Sequence, residues 1–345
     1  MNLDRHTRVA MLVAPRRIEL RAEPIPQAAP GGIVVRVRAA LTDGTDLKAY
    51  RRGHPQMPMP TRFGHEFSGD VAAVGDGVVD FHAGDAVMCV HSAPCGVCFW
   101  CGAGEEELCE SVMSSKILGA YADYVAVPER IVSRNCFHKP GGVSYPAAAF
   151  LEPLACVVHS VAFLAAKQGS TVAVLGDGGF GMLHALVLAQ RGMRAVLAGR
   201  KPQRLALARD LGIETIDAND VPLREGLLGL TGGRGADAAI ECTGSQSVWE
   251  STPELVRRGG TVSFFGGLPA EAHISLSASR LHYDQIRLVS PFHFAPHDVR
   301  QAYDAIVARA IPVVRLLSHT YRLADLGTAF ERLDAGEGLK LLIEP

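Results

Sequence analysis

The sequence predicts an α/β protein of two domains: a β-rich part assembled from both ends of the chain, and a doubly wound parallel sheet set between them. Three observations carry this expectation. Residues 1–150 are rich in short β-like runs bounded by Gly, Pro and Asp. From about residue 153, strand-like and helix-like segments alternate, the pattern of a parallel sheet with crossover helices. A G-x-G-x-x-G segment joins the first of those strands to its helix. A length of 345 residues also suits two domains.

In the first part, IVVRVRAA (33–40), DVAAVG (70–75), DAVMCV (85–90) and YADYVAVP (121–128) read as strands. In the second, TVAVLG (171–176) is a buried-strand run followed by a helix to Gly192, and RAVLAG (194–199) is the next strand. KPQRLALARDLG then reads as a helix opened by Pro202 and closed by Gly212. ADAAIECTG (236–244), TVSFFGG (261–267) and QIRLVSPF (285–292) supply further strands. A helix over DVRQAYDAIVAR (298–309) leads back to β-like material ending in GLKLLIEP, so the expected domains are 1–152 with 295–345, and 153–294.

The bulk numbers exclude several classes. A net charge of −2 gives no electrostatic footprint for nucleic acid or an anionic membrane. The apolar stretch RVAMLVA (8–14) is short and followed at once by Pro15, Arg16 and Arg17, unlike a signal peptide. The sequence is expected to hold no 18-residue apolar run anywhere, so no membrane association is expected and a cytoplasmic location is. The eight cysteines are then expected as thiols or metal ligands rather than disulfides.

GDGGFG (176–181) follows a strand and opens a helix. Gly176 permits the tight turn, Gly178 lets backbone approach a pyrophosphate, and Gly181 lets helix and strand pack closely, with Gly179 and Phe180 completing the cofactor loop. A pyrophosphate would meet the positive end of the helix. An NAD site holds the ribose 2′-hydroxyl with an acid at the end of the second strand; here stands Gly199, followed by Arg200, Lys201 and Arg204. Glycine leaves room for a 2′-phosphate and arginine can hold it with paired hydrogen bonds, so NADP(H) is the expected cofactor. Cations at a helix start oppose the macrodipole, so local helix physics gives them no other reason to be there.

Cys95, Cys98, Cys101 and Cys109 follow C-x2-C-x2-C-x7-C within a lobe of about residues 91–112. Four thiolates at such spacing close a tetrahedral zinc shell with no open position, a structural site. An iron–sulfur cluster is the alternative reading. Only Phe99, Trp100 and Leu108 offer apolar mass there. Cys89, Cys136, Cys156 and Cys242 read as buried small hydrophobes, and His159 and His184 as core or cofactor-adjacent residues rather than ligands.

GHE (64–66), the cysteine lobe, LEPLAC (151–156) and the GDGGFG loop, in this order, resemble the zinc-dependent medium-chain alcohol and polyol dehydrogenases, nearest to the sorbitol, threonine and sugar dehydrogenase branch, over nearly the whole chain. The resemblance implies a GroES-like catalytic domain, a Rossmann domain and an active site in the cleft between them. It implies a catalytic zinc on His65 with Glu66 or Glu152, the latter at the acidic position of the polyol branch. The family's first ligand is usually a cysteine in a C-G-[ST]-D segment; here the segment reads Asp43-Gly44-Thr45-Asp46. Asp43 offers an oxygen donor in the thiol's place, which zinc accepts at about 2.0–2.2 Å. Asp-Gly is equally a strong turn signal, so Asp43 also has a purely local reading.

By the same resemblance, Thr45 matches the hydroxyl proton relay and Asp46 would orient His65. Lys48 stands where many relatives have histidine, as the end of the relay or as a cofactor-phosphate contact, and Lys340 matches a position near the pyrophosphate. The implied reaction is reversible hydride transfer between NADP(H) and a secondary alcohol or ketone, on a polyhydroxylated substrate such as a polyol, sugar or cyclitol. A homodimer or homotetramer is implied by the family alone. Two alternatives remain at this point: a zinc-free quinone or enoyl reductase on the same fold, and a cofactor-binding homologue with an altered active site.

Overall fold

The structure, a computed structural model, describes residues 6–54 and 57–345. It divides into two compact units, one running to Ala155 and resuming at Phe294, the other spanning Cys156–His293.

The first part of the chain supplies strands β1 (His6–Ala14), β2 (Arg17–Pro24), β3 (Ile33–Leu41), β4 (Thr61–Arg62), β5 (Glu66–Val74), β6 (Ala86–Cys89), β7 (Tyr124–Val127) and β8 (Cys136–His138). β1 and β2 form an antiparallel hairpin that the sequence pattern did not announce, extended on its other side by β4. In β3, exposed Arg36 and Arg38 alternate with buried Val35, Val37 and Ala39, the two-residue period of a strand with one face in the core. β3 and β5 pair antiparallel, with Leu41 opposite Glu66. The residues just after β3 and just before β5 therefore emerge at the same end of the sheet, and these include Asp43 and His65.

The second unit is one parallel sheet of β9 (Thr171–Leu175), β10 (Arg194–Gly199), β11 (Glu214–Asp217), β12 (Ala236–Glu241), β13 (Val256–Phe264) and β14 (Arg287–Val289), in the order β11-β10-β9-β12-β13-β14. Every residue of β9 is buried, as expected of a central parallel strand covered on both faces. Strand order reverses direction around β9, so the loop after it lies at a topological switch point, where such sheets bind ligands. β13 begins at Val256, five residues before the apolar run predicted, because Arg257, Arg258, Gly259 and Gly260 disguise its start. QIRLVSPF contributes only the three residues of β14.

The chain then returns through the helix Pro296–Val307 to β15 (Leu317–Arg322) and β16 (Lys340–Glu344). β16 lies between β15 and β3, parallel to the first and antiparallel to the second, completing the sheet β15-β16-β3-β5-β6-β8. Pairing of Leu342 with Leu41 brings Lys340 beside Thr42, at the end of the sheet where Asp43 and His65 emerge. Behind that end, Phe63 packs against Phe330 and Tyr121 with ring centroids 5.0 and 5.3 Å apart, and Tyr50 lies 5.3 Å from Phe330. Such aromatic pairs add about 0.5–1.5 kcal/mol each beyond area burial and hold the backbone beneath the site.

One sequence expectation is corrected here. The stretch Tyr145–Ala162, made of the helices Tyr145–Ala148 and Leu151–Ala162 joined through a turn, is by length and hydropathy long and apolar enough to cross a membrane. Pro146, Glu152, Pro153 and His159 hid this in the sequence, and 72% of the stretch is buried within the protein's own fold. The helix Gly179–Gln190 is apolar all round for the same reason: Gly181 to Leu188 are all buried.

Candidate active site and nucleotide site

The helix Gly44–Arg52 begins three residues after the end of β3, and Asp43 is its N-cap. Asp43 holds an extended backbone conformation, and its Oδ1 accepts the Asp46 backbone N–H at 2.7 Å. Its Oδ2 lies 3.8 Å from His65 Nε2. One carboxylate thus splits its oxygens between starting a helix and facing a histidine, so the local turn reading and the ligand reading are both satisfied.

Asp46, completely buried, meets the other side of the imidazole, its Oδ1 3.2 Å from His65 Nδ1. The Tyr121 hydroxyl donates to Asp46 Oδ2 at 2.6 Å. This chain fixes the ring with Nδ1 toward Asp46 and Nε2 toward Asp43, the orientation of a histidine prepared to give Nε2 to a cation. Tyr121→Phe leaves Asp46 without its hydroxyl donor. Stability in urea should fall by about 1–3 kcal/mol, and zinc affinity by about 10–100-fold; a variant with unchanged zinc affinity would show that Tyr121 does not help to orient His65.

Donor atoms of Asp43, Asp46 and His65 all lie within 4.8 Å of one another, as do those of His65, Glu66 and Glu152. Glu66 begins β5 and is held by Lys340 Nζ, 2.6 and 2.7 Å from its two oxygens; the same ammonium donates to Thr42 O at 2.8 Å. Glu152 Oε1 lies 3.4 Å from His91 Nδ1, and the rings of His91 and His65 sit edge to face with centroids 5.0 Å apart. Burial pushes the Glu66 carboxyl well above its ordinary range, only partly offset by Lys340. Burial lowers the His65 pKa, but Asp46, Asp43 and Glu152 outweigh it and hold the imidazole well above its ordinary value.

The donor set fits a divalent cation. Buried acidic oxygens converge on one imidazole, and their charges favour a cation at this place. Zinc accepts such oxygen and nitrogen donors. Because a ligand imidazole must be neutral, metal binding releases a proton.

The cysteine lobe fits a metal as well. Sγ atoms of Cys98 and Cys101 are 3.5 Å apart and those of Cys95 and Cys101 3.9 Å. A tetrahedral shell with Zn–S of about 2.3 Å separates sulfurs by about 3.8 Å. Backbone N–H groups already point at the sulfurs: Cys95 N to Cys109 Sγ at 3.2 Å, Gly96 N to Cys101 Sγ at 3.3 Å and Cys98 N to Cys95 Sγ at 3.3 Å. Burial raises the Cys109 thiol, but the Cys95 and Ser111 N–H groups outweigh it and bring it down to about 6; burial and the facing thiols push Cys101 up to about 12. Phe99 and Leu108, expected to pack the lobe, are 72% and 43% exposed. The four sulfurs are therefore the lobe's means of cohesion, more completely than the sequence suggested.

In the nucleotide unit, Gly176 has φ 113°, outside the range of other residues, and Gly178 is the N-cap of the helix Gly179–Gln190. A Cβ on Gly181 would stand 1.8 Å from Gly176 O, so only glycine allows this approach of helix to strand. Phe180 packs on Phe265 with centroids 4.9 Å apart. Arg200 and Lys201 are exposed and Arg204 is half-buried. The space over Gly199 is filled by the side chain of Asp177, whose Oδ2 accepts the N–H groups of Arg200 and Lys201 at 2.8 Å each.

Of the residues singled out from sequence, the structure gathers Asp43, Asp46, His65, Glu66 and Glu152 at one end of a sheet, four cysteines in one lobe and the glycine loop beside Gly199. Thr45 and Lys48 lie half-buried and three residues apart on the helix that Asp43 caps, hence on neighbouring faces. Lys340 is only 3% exposed and bonded to Glu66, where sequence reasoning placed it at the pyrophosphate. Cys89 and Cys136 are buried as expected, whereas Cys156 and Cys242 are half-buried. Sequence reasoning passed over Tyr121, His91 and Asp177. The first two carry no local motif; Asp177 stood inside one, as the unspecified residue between two glycines.

A GroES-like β-rich domain with a buried acid–histidine centre and a cysteine lobe, joined to a Rossmann sheet, defines a class of metal- and dinucleotide-dependent oxidoreductase. Residues 29–137 match the alcohol dehydrogenase GroES-like domain and residues 179–308 the zinc-binding dehydrogenase domain. The chain belongs to the zinc-dependent medium-chain alcohol and polyol dehydrogenases. It is 30% identical to a sorbitol dehydrogenase of Halalkalibacterium halodurans, over 93% of this chain and 94% of that one. It is 31% identical to a D-altritol 5-dehydrogenase of Agrobacterium fabrum, over 90% and 91%. Among solved structures, a Sinorhizobium meliloti protein described as a zinc-binding dehydrogenase bound to NADP is 29% identical and covers 99% of both chains with a TM-score of 0.90.

Proposed function

We propose that the chain interconverts a secondary alcohol and a ketone on a polyol, sugar or cyclitol, using zinc and NADP(H). The observation that carries this reading is the buried convergence of Asp43, Asp46, His65, Glu66 and Glu152 in two donor groups that share His65. Asp43 and His65, with Glu66 or Glu152, would hold a catalytic zinc; Cys95, Cys98, Cys101 and Cys109 would hold a structural one. When bound, the catalytic ion supplies a Lewis acid for the alcohol or carbonyl oxygen and the dinucleotide supplies or takes the hydride.

The chain's own residues do the rest. Asp46 and Tyr121 fix the imidazole; the Thr45 hydroxyl holds the alcohol proton; and Lys48, three residues on, passes it toward solvent or meets a cofactor phosphate. Arg200, Lys201 and Arg204 would take the 2′-phosphate, and the NADP-bound relative supports this choice. The polyol substrates named for the two curated relatives support the substrate class. NAD(H) is a second reading, favoured by the Asp177 carboxylate beside those same cations. Lys340 reaches the centre through Glu66 in this reading, rather than through the pyrophosphate. A homodimer or homotetramer follows from the family, and eight free thiols suit a reducing compartment such as the cytoplasm.

Elemental analysis of the purified chain should find two zinc ions, and NADPH should be oxidised by ketoses or cyclic polyol ketones. A single zinc, with turnover of enones or quinones only, would replace this reading by a quinone or enoyl reductase without a catalytic zinc.

A further inference from the structure

Asp177 lies between Gly176 and Gly178 in the glycine loop, yet its side chain belongs to the neighbouring strand's end. Oδ2 accepts the backbone N–H groups of Arg200 and Lys201 at 2.8 Å each, and Oδ1 lies 3.5 Å from Arg204. The residue is 8% exposed. Gly199 makes this possible: a Cβ there would stand 2.3 Å from Asp177 Oδ2 and 2.6 Å from its Cγ. The glycine that removes an acid from the end of the second strand thus seats an acid from the end of the first.

The consequence is electrostatic. The donors around the end of this strand that could meet a 2′-phosphate are the side chains of Arg200, Lys201 and Arg204 and the backbone N–H groups of Arg200 and Lys201, just before the helix Pro202–Asp210. Asp177 already uses two of those N–H groups and faces one of the cations. A carboxylate at the end of the second strand is also the group that accepts a ribose 2′-hydroxyl. We propose that Asp177 is the selectivity-determining residue of the nucleotide site: its carboxylate takes the ribose hydroxyl of an unphosphorylated dinucleotide and weakens the hold of the basic cluster on a 2′-phosphate. The proposal rests on the reading of this unit as a dinucleotide site, and it bounds the preference for NADP(H) that Arg200, Lys201 and Arg204 create.

Asp177→Asn tests it, because the amide oxygen still accepts the two N–H groups while the charge is gone. Dissociation constants for 2′,5′-ADP and for 5′-ADP are measured calorimetrically on the full chain, alongside kcat/KM with NADPH and NADH. The variant should improve binding of 2′,5′-ADP relative to 5′-ADP by at least about tenfold, as expected for removing a like charge a few ångströms from a phosphate, and kcat/KM should move the same way. Asp177→Ser should shift the ratio in the same direction should the asparagine variant fold poorly. A ratio unchanged within about twofold in the folded variant, or a shift toward 5′-ADP, overturns the role of Asp177. Binding of neither nucleotide by the parent protein overturns the dinucleotide reading and the proposal with it.

Discussion

Asp43→Ala is expected to remove one of two zinc ions per chain and to lower kcat/KM by more than about 100-fold, since even outer partners of a metal ligand are worth about 10–100-fold. The same change removes the cap that receives the Asp46 N–H, a loss of about 0.5–2 kcal/mol of stability. Two further variants separate the effects. Asp43→Asn keeps the cap, because asparagine caps helices as well as aspartate does, but offers a neutral amide to the cation. It should melt like the metal-free parent and still lack the zinc and the activity. Asp43→Cys should do the reverse, holding zinc through a thiolate while losing the cap. Full zinc occupancy and activity in Asp43→Asn would show that Asp43 serves only the helix.

Lys340→Met should produce the largest loss of stability. Lys340 and Glu66 are 3% and 0% exposed, and the ammonium contacts both carboxylate oxygens. Removing the ammonium leaves the buried carboxyl either charged without a partner or forced to take up a proton, an effect of up to about 3–5 kcal/mol. Chemical denaturation should report a loss of that size. The double variant Lys340→Met with Glu66→Gln should recover part of it, because the uncompensated charge is then gone. If Lys340→Met alone lost less than about 1 kcal/mol, the pair would not be the anchor of β16 that the contacts indicate.

Features written in contiguous residues were legible from sequence. The glycine loop, the cysteine spacing and the strand runs of the parallel sheet each depend on local periodicity or on steric demands within a few residues, and the structure has a strand at each predicted run. What failed was set by pairing. Asp177 looked like a spacer because its role exists only when β9 and β10 lie side by side. Tyr121 acts on Asp46 across 75 positions of sequence, and Lys340 on Glu66 across 274. Nothing in GLK announces that its lysine enters a sheet beside Thr42. The hairpin of β1 and β2 was missed because β2 is mostly exposed or half-buried and shows no clean alternation. Phe99, counted as apolar mass for the cysteine lobe on residue type alone, stays exposed because the lobe is too small to bury it.

The position of β16 between β15 and β3 also has a consequence for how the protein is made. The whole Rossmann unit leaves the ribosome before Leu342 can find Leu41. Through that interval the end of β3 at Ala40 and Leu41 lacks its partner, and Glu66 must wait for its lysine. The half that carries the chemistry is therefore the last to close, its assembly governed by encounters between distant parts of the chain rather than by local order. Nascent chains arrested before Lys340 should expose that end of β3 to chaperones, while the dinucleotide half is already complete.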